Sequence, residues 1–449
     1  MKEYLELEKK FKTLHDLGGA SSILHWDFAC MMPKGSSKFR SEQLSTLNTI
    51  SHNIITNKAV GKLLSLAEKN ATKLNKWQKR NLELMRHSWI HSNAVDENLV
   101  EELSKAGMEC EMVWREARKN NDFKKFAPYQ SKVIDLVREV AKAKSKALNC
   151  SPYDAMLDQY DSGSRAKEID KVFLKLKNFL PEFIKEVTKK QAKIKFIKPK
   201  GNFPIETQRK IGLLLMQKIG FNFDNGRVDV SHHPFCGGTY GDIRITTRYS
   251  DTNVIPAIAA TMHECGHAIY DSNLPEEWYN QPVGSALGMS MHESQSLIVE
   301  MQAGRSKKFL EYLSKILTKH FPENKQAWSS NNLQKSSSIV KPGLIRVDAD
   351  EVTYPLHVIL RYEIEKAIFA GDINYKDVPK IWNDLMWKYL GVKVTNYKDG
   401  CMQDIHWTDG AFGYFPSYTL GAMIAAQLYA AAKKERPDIP EKLAKGDFT

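Results

Sequence analysis

The stretch Pro256-Ala257-Ile258-Ala259-Ala260-Thr261-Met262-His263-Glu264-Cys265-Gly266-His267-Ala268 decides how the rest of the chain is read. Proline is tolerated in a first helical turn, and the run behind it is made mostly of strong helix formers. Ile258, Met262, Cys265 and Ile269 recur at helical spacing and give a buried stripe. Beside that stripe His263 and His267 stand one turn apart on a common face. There both imidazoles can bind one Zn2+ while Glu264 points at the metal's water. The helix is expected to stop near Asn273-Leu274-Pro275. H-E-x-x-H on a helix implies metal-assisted hydrolysis. The pentapeptide alone leaves open a pair of core histidines satisfied by hydrogen bonds.

A catalytic zinc needs a third protein ligand and an open position. Glu293, in Met291-His292-Glu293-Ser294-Gln295-Ser296 on the next predicted helix, is the first candidate, and Pro275, Pro282 and Gly284 permit the chain reversal between the two helices. On spacing alone Glu276, Glu277, His292 and Glu300 remain available.

Outward from this centre the chain reads as mainly α. Charged amphipathic stretches run over Trp77 to Trp89, Glu97 to Asn120 and Lys132 to Leu148, with a helix beginning near Arg165. The segment from His25 to Gly35 is expected to be an aromatic, proline-bearing turn, and Phe196 to Pro204 a connector into the second half. Two alternating stretches, Arg227 to Ser231 and Asp242 to Tyr249, read as strands of a small antiparallel sheet beside the zinc helix. An exposed edge strand there would let an extended peptide add to the sheet. A long helix is expected from about Ser290 to His320, and Gly391 to Phe415 is a loop rich in Gly, Asp, Trp and Tyr. The expected organisation is one catalytic domain over 1–449, with a helical half at 1–200 and the sheet, metal site and cleft loops in 201–449.

With 42% apolar and 26% charged residues, the composition of the 449 residues excludes a largely disordered chain. The formal charge of +12 comes from lysines spread along the whole length, and the densest cluster, Lys189 to Lys200, lacks interleaved aromatics apart from Phe196. Nucleic-acid binding is therefore not expected. No apolar run reaches the roughly 20 residues needed to span a bilayer, so no membrane partner is expected either. Six scattered cysteines without a Cys-x-x-Cys pair, and a charged N-terminus with no apolar h-region, suit a cytoplasmic protein.

Several motifs in order carry a family resemblance: His233-Pro234-Phe235, Asp242-Ile243-Arg244-Ile245-Thr246, His263-Glu264-Cys265-Gly266-His267, His292-Glu293-Ser294-Gln295, Ile345-Arg346-Val347-Asp348-Ala349-Asp350, and Gly400-Cys401-Met402-Gln403-Asp404-Ile405-His406-Trp407. The chain resembles the carboxypeptidase Taq family of zinc metallocarboxypeptidases along nearly its whole length. The resemblance implies a helical fold with a deep active-site groove, Glu293 as third ligand after His263 and His267, and Glu264 as general base. It also implies release of C-terminal residues from peptides with a free C-terminus, and a homodimer. His₂Glu ligation accepts Zn2+ or Co2+.

A free α-carboxylate is best held by a guanidinium fork, which makes Arg346 and Arg244 substrate-binding candidates, with Gln403 and Asp404 of the neighbouring motif. His406 and Tyr414 are the candidates for stabilising the oxyanion, with Tyr418 close by in sequence. The chain departs from the family pattern at Leu297 to Met301, where many members carry an Arg and a Trp, and at Asp161-Ser162-Gly163, where Glu-Pro-Gly is expected. The alternatives are a zinc oligopeptidase cutting internally, with the same ligands, and a non-catalytic metal-binding protein.

Overall fold

The computed structural model describes residues 1–448, and among these the chain forms 17 α-helices and one three-stranded sheet. Apolar residues at helical spacing gather into three cores. The first third contributes a small one, in which Tyr4, Leu7, Leu64 and Met85 join the helices Lys2–Cys30, Lys58–Lys69 and Lys76–Asn93. The largest core lies among the helices Glu97–Asn120, Phe123–Leu148, Ala166–Gln191, Tyr354–Ala370 and Val378–Leu390. Fully buried residues such as Ile359 and Leu360 stabilise it by about 1.5–3 kcal/mol each. A third core packs the helix Ile205–Ile219, the sheet and the helix Lys307–His320 against the Met262/Cys265 side of the H-E-x-x-H helix, Ile255–Ser272.

The helix Ile255–Ser272 ends just before Asn273, and the loop from Gly391 to Phe415 holds no helix or strand. Three expectations are corrected. The strands β1 (Gly226–Val230), β2 (Cys236–Thr239) and β3 (Asp242–Thr247) are ordered β1-β3-β2, and β1 runs parallel to β3 while β2 runs antiparallel to it, so the sheet is mixed. The glycine-rich segment read as a turn is itself a strand. Gly238 at φ 99 and Gly241 at φ 79 supply its left-handed backbone, and β2 takes the position beside β3 that a simple hairpin would have given β1. His25 to Cys30 continue the first helix instead of forming the turn, which begins at Met31.

The long helix after the H-E-x-x-H segment is also broken. It runs as Gly288–Leu297, widens into a π-helical turn at Ile298–Ala303, and restarts at Lys307 with Ser306 as its N-cap. Extra residues in a helical turn re-aim side chains and are frequent at functional sites.

Two glycines set how closely the elements carrying the site approach one another. A Cβ at Gly266 would lie 2.5 Å from the Gln295 carbonyl oxygen and 2.5 Å from Ser296 Cα. A Cβ at Gly421, on the helix Pro416–Glu435, would lie 2.9 Å from Glu293 Cβ. Only hydrogen at these positions lets the helix Gly288–Leu297 sit between its two neighbours.

Candidate active site

His263 and His267 project from one face of their helix with ring centroids 5.0 Å apart. Glu293 Oε2, arriving from the helix Gly288–Leu297, stands 3.9 Å from His263 Nε2 and 3.6 Å from His267 Nε2. These separations are too long for hydrogen bonds. They leave room between the three donors for a shared cation. Glu264 is 6% exposed, and burial raises its carboxyl to about 7.

The electrostatics of the cluster fit a cation as well. Burial works against a proton on His263, yet its hydrogen bond to Glu300 and the charges of Glu293, Glu300 and Glu264 hold it up to about 9. His267 is pushed down to about 2 by burial, then by His263 and His292. Three carboxylates thus draw positive charge to this point, where a divalent cation would be held in place of the proton.

The two histidines are held from behind. His263 Nδ1 lies 3.0 Å from Glu300 Oε2, and Arg305 donates to the other Glu300 oxygen at 2.9 Å. This pairing exists because the π-helical turn carries Glu300 around to the histidine. His267 stacks on His292 with centroids 4.3 Å apart, and His292 Nε2 lies 3.1 Å from Asp271. Carboxylates behind metal-binding imidazoles fix tautomer and orientation. On spacing Glu300 and His292 were rivals for the third ligand position; both instead flank the two histidines.

Arg346 lies in a second group. Its backbone N–H donates to Gln403 Oε1 at 2.8 Å, its Nε donates to Asp404 Oδ1 at 2.9 Å, and its Nη1 donates to Tyr354 OH at 2.6 Å. The guanidinium also stacks 5.3 Å from Phe415 and 5.2 Å from Tyr418. Arg361, fully buried, donates to the other Asp404 oxygen at 2.6 Å. Burial favours a neutral Asp404, but the two arginines overcome it and hold the carboxyl well below the usual range. Two guanidiniums share one carboxylate, so the group keeps a surplus positive charge. Burial raises the Glu293 carboxyl above its usual range, and the positive charges of His263, His292 and Arg346 act in the opposite sense.

His406 Nε2 is 3.3 Å from Tyr418 OH, and Tyr414 meets Tyr418 edge-on at 5.2 Å. Burial, then Arg346, pushes His406 down to about 4, so its ring is neutral near pH 7. Burial raises Tyr414 to about 12, which keeps it a hydroxyl donor. The structure therefore brings Arg346, Gln403, Asp404, His406 and Tyr414 together. Arg244 is not among their contacts: it makes two hydrogen bonds to Asp242, at 2.8 and 2.6 Å, with its guanidinium 4.4 Å over Trp26. Arg361 and Asp271 carry no periodic or spacing signal that marks them as site residues in the sequence, and the segment containing Tyr354 reads equally as cleft floor or core.

Helices around a His₂Glu cluster, with a buried glutamate next to the first histidine, define a metallopeptidase-type site. The family model for Carboxypeptidase Taq (M32) metallopeptidase matches residues 6–449. Carboxypeptidase 1 of Bacillus subtilis is 35% identical over 448 residues, covering 100% of this chain and 88% of the relative. Thermostable carboxypeptidase 1 of Pyrococcus furiosus is 34% identical over 444 residues, covering 98% of this chain and 88% of the relative. Among solved structures, Trypanosoma cruzi metallocarboxypeptidase 1 superposes with a TM-score of 0.97 at 40% identity, covering 100% of this chain and 90% of that one. The chain belongs to the carboxypeptidase Taq (M32) family and is a metallocarboxypeptidase.

Proposed function

We propose that this chain removes C-terminal residues from peptides with zinc, or cobalt in its place, held by His263, His267 and Glu293, and with Glu264 as general base. The observation that carries the reading is the convergence of His263 Nε2, His267 Nε2 and Glu293 Oε2 beside the buried Glu264, with Arg346 close by. When bound, a divalent cation supplies Lewis acidity, acidifying water and polarising the scissile carbonyl.

Glu264 takes the proton of the attacking water and returns it to the leaving amine. Its burial raises the carboxyl above the usual carboxylate range, which favours uptake of the water's proton. His406, as a neutral imidazole, and Tyr414, as a phenol, are the proposed donors to the developing oxyanion. Arg346 receives the substrate α-carboxylate; Asp404 and Gln403 hold Arg346 in place, and Arg361 secures Asp404. Arg244, paired with Asp242 over Trp26, is assigned to supporting β3 near the cleft rather than to the carboxylate.

An unblocked peptide incubated with the metal-loaded protein is expected to lose residues stepwise from its C-terminus, and its C-terminal amide to resist cleavage. Internal fragments as the main products would replace this reading with an oligopeptidase. Chelation is expected to abolish turnover and zinc to restore it; unchanged hydrolysis after chelation would remove the metal from the mechanism. We also propose one catalytic domain, a homodimer and a cytoplasmic location. Phe28, Met31 and Phe39 lie exposed near the end of the first helix and support self-association, which light scattering tests. The six cysteines are all unpaired, as a reducing compartment requires. No helix among the described residues is long and apolar enough to cross a membrane.

A further inference from the structure

A second histidine pair lies outside the cleft. His87 and His91 project from the helix Lys76–Asn93 at the same His-x-x-x-His spacing as His263 and His267, with ring centroids 4.5 Å apart. Asp158, at the end of the helix Pro152–Asp158, sends Oδ2 to within 2.6 Å of His87 Nε2 and 3.0 Å of His91 Nε2. Its other oxygen is held from behind, accepting from Arg165 Nη1 at 2.8 Å and from the Gly163 backbone N–H at 2.9 Å. One carboxylate oxygen is thus presented to both rings while its partner is anchored, the arrangement in which monodentate carboxylate ligands are held. The Asp158 side chain is 4% exposed, but those of His91 and His87 are 13% and 25% exposed, so the cluster is rooted in the protein and open on one side.

We propose that His87 Nε2, His91 Nε2 and Asp158 Oδ2 form a second binding site, separate from the cleft, for a zinc- or cobalt-class cation. Two imidazoles and one carboxylate suit borderline cations; Mg2+ and Ca2+ demand oxygen-rich cages. The three donors already lie within 4.8 Å of one another. Opening their hydrogen-bond spacings to the ~3.4 Å between tetrahedral ligands takes less than about 1 Å of side-chain movement. Arg165 and Lys144 are the neighbouring cations, and Lys144 donates to Gln159 at 2.9 Å instead of to the cluster.

The site sits at one end of the segment that braces the cleft. Asp161, three residues beyond Asp158, accepts from the Ser290 backbone N–H at 2.8 Å, from Ser290 Oγ at 2.6 Å and from Ser417 Oγ at 2.7 Å. It thereby ties the helix carrying Glu293 to the helix Pro416–Glu435. A cation clamping Asp158 to His87 and His91 holds that brace to the N-terminal helices.

The test is to strip the full chain with chelator, titrate it with Zn2+ or Co2+ alone, and count bound metal per chain. The wild type is expected to take two equivalents at micromolar free metal. His87→Ala/His91→Ala is expected to keep one equivalent and to hydrolyse peptide at saturating metal, and His263→Ala/His267→Ala to keep one equivalent without hydrolysis. A wild type that takes one equivalent, or a His87→Ala/His91→Ala protein that still takes two, overturns the proposal and leaves the cluster as hydrogen bonds only. If the double variant does not fold, His91→Gln decides: the second equivalent should weaken at least about 10-fold while the first is unchanged. A second equivalent bound as tightly as in the wild type overturns the site. Mg2+ in place of zinc should leave the second equivalent unfilled.

Discussion

The two His-x-x-x-His pairs of this chain show what spacing contributes to a site and what the surroundings add. In both, a carboxylate from a different helix meets two imidazoles one helical turn apart. Around His263 and His267 the next residue is the buried Glu264, the third donor is nearly 4 Å away, and Arg346 with two tyrosines lies close by. Around His87 and His91 the corresponding residue is Ser88, the carboxylate is in direct hydrogen contact with both rings, and the nearest guanidinium, Arg165, is paired with that same carboxylate. Spacing puts two imidazoles on one face. The buried Glu264, a held-open donor set and the Arg346 group set the first pair apart from the second.

The sharpest way to break the comparison is at the base. Glu264→Gln should retain one metal equivalent in the cleft and lose about 10²–10⁴-fold in kcat, with metal content and turnover measured on the same preparation. Near-normal hydrolysis would make the two pairs chemically equivalent. At the oxyanion, Tyr414→Phe should cost about 10²–10³-fold in kcat with little change in KM if this hydroxyl is the donor. A change in KM alone would place Tyr414 in substrate binding.

Arg346→Ala should lower kcat/KM by about 10–100-fold, the worth of a charged hydrogen bond, mainly through KM. The same substitution should leave the low hydrolysis of an amidated peptide unchanged; an equal loss on both substrates would mean that Arg346 only supports the wall. Behind the ligands, Glu300→Gln should weaken cleft metal binding by about 10-fold or more, read as free metal at half-saturation, with the second pair unaffected.

The smallest expected effect is on stability against pH. His406 is neutral when folded, with its pKa near 4, whereas an unfolded histidine titrates near 6.5. Between these values the unfolded chain binds more protons, so stability falls as pH drops through that window, by about 1–3 kcal/mol from this group. His406→Gln should flatten the decline of the melting temperature between pH 6.5 and 4. An identical slope would show that other groups carry it.

Local chemistry made one half of the site readable. Helix formers around His263 and His267 place both rings on one face whatever the rest of the chain does, and the helix ends before Asn273 as its sequence indicates. The same reading failed where pairing is long-range. Alternation identified β1 and β3 but not their parallel direction, because strand direction depends on where β2 inserts. The segment from Ser290 reads as one continuous helix because a short π-helical turn leaves composition unchanged, yet that turn carries the Glu300 that meets His263. Arg361, remote from Asp404 in sequence, was invisible for the same reason.

By itself, then, the sequence determined a mainly helical chain, an imidazole pair with a glutamate beside it, and a set of motifs belonging to one family, since these rest on residues within a turn or two of one another. Spacing left several carboxylates available and the family motifs pointed to Glu293; tertiary structure decided how Glu293 reaches the pair, because its helix packs closely only where Gly266 and Gly421 permit it. It also decided the partners of the two candidate arginines: Arg244 pairs with Asp242 over Trp26, while Arg346 shares Asp404 with Arg361. Charge balance is a property of groups brought together in space, and sequence order does not record it.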